Sequence, residues 1–178
     1  MVKRQNLLPQ RIEPFRLAEA GRSLQGRLSL QRMQRLAPLL ASADGEVEVE
    51  LKFEIDADGR PTVVGSLRTD LQLVCQRCME PMRFPVDTGV ALTFVTHESE
   101  AEHLQGSAEL FVIESEPLAL ADLIEDELLL CLPQVALHPL QECPAREALE
   151  TLGEEPETSE QKDNPFAVLA KLKTQEPE

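Results

Sequence analysis

From Glu46 to Val95 the chain alternates apolar and polar residues in three long runs, and that pattern commits it to a sheet. The first run is the strictest: Val47, Val49, Leu51, Phe53 and Ile55 interleave with Glu46, Glu48, Glu50, Lys52, Glu54 and Asp56. Successive side chains on a strand point to opposite faces, so this pattern means one buried face and one wet face. Asp58-Gly59 follows, a dipeptide suited to the positive φ angles of a tight hairpin turn. The second run, about Thr62–Cys75, keeps Val63, Leu67, Leu71, Leu73 and Cys75 on one parity. Gly65 in that row signals a bulge or a close backbone approach. Beyond the turn at Cys78–Pro81, Met82, Phe84, Val86, Val90, Leu92 and Phe94 carry the alternation to about Val95. Three antiparallel strands in succession make a meander.

Helical spacing flanks the sheet. Ser29–Ala41 places Leu30, Met33, Leu36 and Leu40 on one face, with Ser29 as N-cap and Pro38 disturbing the last turn. Leu120–Leu132 predicts the main helix, with Leu120, Leu123, Ile124, Leu128 and Cys131 on one stripe and Pro133 as its stop. Glu109–Ile113 suits a short fourth strand. The expected class is α+β: an antiparallel meander of long strands packed with one main helix and a smaller N-terminal helix. With six Phe and no Trp or Tyr, the core is aliphatic, and stacking platforms for single-stranded nucleic acid are nearly absent.

The 178 residues divide by composition into an N-terminal basic arm (1–28), an α+β core domain (29–143), an acidic flexible linker (144–163) and a C-terminal docking segment (164–178). Pro9 and Pro14 keep residues 1–21 extended, with Ile12, Phe15 and Leu17 to anchor them. In the last segment Asn164 can cap a helix, Pro165 suits its first position, and Phe166, Leu169 and Leu172 form a short stripe. Ten residues do not hold a helix alone, so the segment docks on this domain or on a partner. No apolar run is long enough for a membrane span, and Met1-Val-Lys-Arg opens a polar N-terminus. The expected location is the cytoplasm.

Charge is unevenly spread. Residues 1–40 carry eight Lys and Arg against two Glu, a balance of +6, while the remainder carries nine against thirty, or −21. The net charge of −15 excludes a general polyanion binder. Contact with an anionic partner therefore falls to Arg27, Arg32 and Arg35 and to Arg77 and Arg83 around the second hairpin tip. The other reading of this asymmetry is that the basic and acidic parts attract each other.

Four cysteines in a reducing compartment point toward metal or redox chemistry rather than a disulfide. Cys75 and Cys78 form a Cys-x-x-Cys knuckle between two strands; a thioredoxin-like dithiol would instead open a helix after a strand. A tetrahedral zinc site wants four soft or borderline donors, and His138 with Cys143 can complete the set. Cys131 lies on the helical stripe and reads as a small core residue. The remaining reading of the pair is a knotted turn. Catalytic motifs are missing: there is no Gly-rich phosphate loop, no His-Glu-x-x-His and no nucleophile elbow. His97 and His103 read as solvated loop residues. Glu125, Asp126 and Glu127 are consecutive and splay around their helix rather than converging, so no catalytic residue is assigned.

Three segments together, VCQRCMEP, LIEDELLLCLPQVALHPLQEC and DNPFAVLAKLK, resemble the YceD family of large ribosomal RNA subunit accumulation proteins, in its proteobacterial branch. Other branches carry further cysteines after the one matching Cys143, which this chain lacks. The resemblance implies a cytoplasmic, non-enzymatic factor for synthesis, processing or stability of 23S rRNA, with rRNA precursor or basic ribosomal and processing proteins as partners. It implies no small-molecule substrate and no membrane, and it makes Arg27, Arg32, Arg35, Arg77 and Arg83 the candidates for direct RNA contact. The rival reading is a zinc- or thiol-dependent redox or hydrolytic enzyme using Cys75 and Cys78.

Overall fold

A computed structural model describes residues 8–97, 109–113 and 115–153. Its centre is a five-stranded sheet in the order β2 (Ser23–Ser29), β3 (Glu46–Ile55), β4 (Pro61–Val74), β5 (Pro81–Val95) and β6 (Glu109–Val112). The pairs from β2 to β5 are antiparallel, so the three alternating runs are the expected meander, and β6 joins β5 in parallel. A two-stranded ribbon pairs β1 (Arg11–Ile12) with β7 (Leu118–Ala119). Among the described residues the α-helices are α1 (Pro14–Glu19), α2 (Leu120–Leu130) and α3 (Arg146–Gly153). The class is α+β, with α2 the main helix.

Val47, Val49, Leu51 and Phe53 of β3 are buried, as are Val63, Leu67, Leu71 and Leu73 of β4. Ile55 departs from the expected row and is exposed, because its pair with Pro61 lies at the turn end of the hairpin, beyond the packed face. There the Asp56 carboxylate accepts the N–H groups of Asp58 (2.9 Å) and Arg60 (2.8 Å), and Gly59 adopts φ +80°. Gly65 marks a close approach: a Cβ there would sit 1.9 Å from the Glu50 carbonyl oxygen. The core face receives α1 against β3 and β4, and α2 buries Leu120, Leu123, Ile124 and Leu128 in the same cluster. Phe53 stacks on Phe94 at 6.2 Å, and Phe111 meets Phe94 edge-on at 6.1 Å. Cys131 is half-buried against this core, its thiol donating to the Glu127 carbonyl.

Two expectations need correction. The described part of the basic arm is not a free extended segment. Pro14 opens α1, and Ser23–Ser29 forms an edge strand of the sheet along β3. The smaller N-terminal helix is therefore Pro14–Glu19, and Ser29–Ala41 is not an α-helix. That stretch holds two 3-10 turns, Leu30–Arg32 and Ala37–Leu39. Its helical stripe still finds the core, since Leu30, Met33 and Leu36 are fully buried. Two causes stop a helix. Met33 is extended (φ −93°, ψ 98°), and the Glu125 carboxylate of α2 takes the Arg35 and Leu36 N–H groups. Within the acidic stretch 144–163, Pro144 and Ala145 form a turn, Arg146–Gly153 is helical, and residues 154–163 lie outside the described residues.

Candidate metal centre

The β4–β5 hairpin turns on the Cys-x-x-Cys pair. Cys75 N–H donates to the Glu80 carbonyl (2.9 Å), and Met79 N–H returns to the Cys75 carbonyl (2.8 Å). Met79 closes the turn at φ +63°, a left-handed conformation that a side chain with a Cβ rarely adopts. A second segment meets this tip after α2 ends and Pro133 follows. Gln76 N–H donates to the Ala136 carbonyl (2.8 Å), which lays the loop 133–143 across the hairpin. His138 N–H then points at Cys75 Sγ (3.4 Å), and His138 Nδ1 lies 3.4 Å from Cys78 Sγ. A 3-10 turn, Leu140–Glu142, delivers Cys143, whose carbonyl accepts the Arg146 N–H at the start of α3.

The four side chains converge. One donor atom from each of Cys75, Cys78, His138 and Cys143 lies within 4.8 Å of all the others. A zinc tetrahedron with Zn–S bonds of about 2.3 Å has edges of about 3.8 Å, so closing the set onto an ion takes only small movements. Cys75 and Cys143 are buried, Cys78 and His138 half-buried. Burial opposes charge on Cys75, but the backbone N–H groups of Cys78, His138 and Arg77 outweigh it and bring the thiol down to about 5. A thiolate is therefore available as ligand at neutral pH. Burial pushes the Cys78 thiol up; the Glu80 N–H opposes this, while the adjacent Cys75 and Cys143 sulfurs add to it. A cation at the centre of three thiols would relieve that crowding. The cluster can hold a metal ion with all four ligand positions supplied by protein, the arrangement of structural rather than catalytic zinc sites.

The arginines fare differently. Arg27 pairs with Glu48 and Glu46 across the β2–β3 ladder, and Arg83 holds Asp70 through two 2.8 Å hydrogen bonds. The Arg83 guanidinium accordingly holds the Asp70 carboxyl below the usual carboxylate range. Arg35 bonds Asp126 at 2.7 Å and Glu125 at 3.1 Å. Arg77, half-buried in the knuckle, lies 3.5 Å from the His138 carbonyl, and Arg32 is exposed with no ion pair among the described residues. The structure thus does not gather the five into one patch of unmatched positive charge. His97 is exposed; His103 and the segment with Asn164, Pro165, Phe166, Leu169 and Leu172 lie outside the described residues.

Sequence reasoning missed Glu125. Its carboxylate is 3% exposed and accepts Arg35 N–H (2.7 Å) and Leu36 N–H (2.9 Å) on one oxygen, with Arg35 Nε on the other. The available signal was its place in α2: one turn after Ala121 and one turn before Leu129, at the border of the apolar stripe.

Comparison with known proteins identifies the family. The family model described as Large ribosomal RNA subunit accumulation protein YceD matches residues 63–173, which hold the whole Cys/His cluster. The chain belongs to the YceD family. A YceD relative from Haemophilus influenzae, named Large ribosomal RNA subunit accumulation protein YceD, is 31% identical over 169 residues, covering 93% of this chain and 96% of its own. No solved structure matches. In this YceD-family chain no described helix is long and apolar enough to cross a membrane.

Proposed function

We propose that the protein supports accumulation of 23S rRNA by binding to ribosome precursors rather than by catalysis, with zinc closed into Cys75, Cys78, His138 and Cys143 as a structural clip. The observation that carries this reading is the convergence of four protein donors, within 4.8 Å of one another, in a chain of the YceD family. Zinc supplies cross-linking when bound: the knuckle and the loop 133–143 are pinned to each other, and the chain's own groups fill every ligand position. That saturation disfavours the thiol or zinc enzyme, which needs a free thiolate or an open position.

Protein partners suit the surface better than bare RNA does. Net charge is −15, and Arg27, Arg35 and Arg83 already face carboxylates that would repel phosphate. Basic ribosomal or processing proteins meet an acidic body, and Asn164, Pro165, Phe166, Leu169 and Leu172 supply a docking segment. Arg32 and Arg77 are the two of the five arginines that ion pairs among the described residues leave open to RNA phosphates.

The test is genetic and biochemical together. Cells lacking the protein should lose 23S rRNA, and the Cys75→Ser/Cys78→Ser variant should fail to restore it and should purify without metal. Association with immature large subunits should survive RNase once protein contacts have formed. Full rescue by the double variant would dismiss the metal centre. Turnover of any substrate would dismiss the non-enzymatic reading.

A further inference from the structure

Exposed apolar side chains are not scattered evenly over this molecule. Half of the large ones exposed among the described residues, namely Val74, Met79, Val135, Leu137 and Leu140, lie within three positions of a cluster ligand. Met79 is 71% exposed, Val135 55% and Leu140 50%. The four donors converge and Gln76 is bonded to Ala136, so the backbone brings these five exposed residues together around the cluster as an apolar crown. A soluble surface does not present such a concentration without something to cover it.

The chain itself offers the cover. It leaves the described residues at Gly153, the end of α3, and α3 starts from the Arg146–Cys143 hydrogen bond at the crown. Ten residues, 154–163, then separate Gly153 from Asn164. A stretch of ten residues spans at most about 35 Å, and a tether that short holds its end near the anchor at about millimolar effective concentration. What it delivers is Phe166, Leu169 and Leu172 at helical spacing, with Lys171 and Lys173 on either side of Leu172, in a segment too short to stand alone. Exposed Glu80 and Glu142 beside the ligands complement those lysines. The family match also runs from β4 through the crown and stops at Lys173, so crown and segment belong to one family unit.

We infer that in the free protein residues 164–173 dock in cis on the apolar crown around the Cys/His cluster. The crown is thus covered by the chain's own tail until a partner displaces it. This concerns the free protein and depends neither on rRNA nor on the identity of the metal, so it can fail while the proposed function stands.

The chain has no Trp, so Phe166→Trp in the full-length protein creates its only indole. Docking predicts blue-shifted emission, protection from acrylamide and no change on dilution. Adding Val135→Asp and Leu140→Asp should shift the emission to the value seen in urea while the far-ultraviolet circular dichroism is retained; Leu39→Asp, exposed elsewhere, should leave it unchanged. A second readout needs no change in the crown: the Met79 methyl resonance should move when Phe166, Leu169 and Leu172 are all replaced by Ser. A solvent-exposed indole in the parent overturns the inference, as does protection that dilution abolishes, which would signal a second copy. So does protection indifferent to the crown substitutions, or a Met79 resonance that stays in place.

Discussion

Replacing Glu125 should unfold the protein more readily than any change at its exposed acids, and the choice of substitute should reveal why. Its buried Oε1 accepts both the Arg35 and Leu36 backbone N–H groups, while Oε2 meets only the Arg35 side chain. Glu125→Ala strands two backbone donors, at about 1–3 kcal/mol each, and loses a charge-assisted pair of bonds, so a cost of about 3–4 kcal/mol is expected. For a body of this size that corresponds to a fall in Tm of roughly 6–16 °C. Glu125→Gln keeps an oxygen at the Oε1 position for both N–H groups and disturbs only Arg35, which is 54% exposed and retains Asp126. Its cost should be about 1 kcal/mol. Arg35→Ala, which leaves both backbone bonds intact, should cost no more. Urea unfolding followed by far-ultraviolet circular dichroism reads all three. A Gln variant as unstable as the Ala variant would mean that charge, rather than acceptance of backbone donors, gives Glu125 its weight. An Ala variant within about 1 kcal/mol of the parent would refute the reasoning outright.

Gly65→Ala should destabilise by at least about 3 kcal/mol in the same assay, because the new methyl meets β3 backbone at Glu50 and cannot be accommodated by a rotamer change. At Glu127, burial foremost, then Glu109 and Asp126, raise the carboxyl above its ordinary value. The folded state therefore binds that proton more tightly than the unfolded chain does, and this group's penalty grows as pH rises through the carboxylate range. Glu127→Gln should stabilise at neutral pH, with the gain fading on acidification; a pH-independent difference in Tm would contradict this. Metal analysis of the purified protein should give one zinc per chain. Chelation should lower Tm and speed hydrogen exchange in the loop 133–143, leaving β3 protected; unchanged exchange would remove the structural clip. A double-mutant cycle on Arg83 and Asp70 should return a coupling below about 1 kcal/mol, since both side chains are substantially exposed.

The strands were legible because strand faces are local. Each alternating run carries its own inside and outside, and Asp58-Gly59 and Cys75–Pro81 punctuate them, so the β3–β5 meander could be read before any contact was known. The same locality misled at Ser29–Ala41, where spacing correctly marked Leu30, Met33 and Leu36 as core but could not show that Glu125 would claim the N–H groups a helix needs. Likewise Arg27, Arg35 and Arg83 are plain positive charges in sequence and become half of an ion pair only when the neighbouring strand or helix arrives.

By itself the sequence determined the sheet-forming runs, the main helix and the family, because each is written in short-range patterns of residue type. It offered Cys75, Cys78, His138 and Cys143 only as candidates for one site. Only tertiary structure decided that residues 23–29 would close the sheet edge, that a glutamate ninety positions away would hold the 33–40 stretch, and that His138 and Cys143 would come within reach of the knuckle. Those outcomes depend on which backbone and side-chain groups meet across long chain separations. No window of sequence contains both partners.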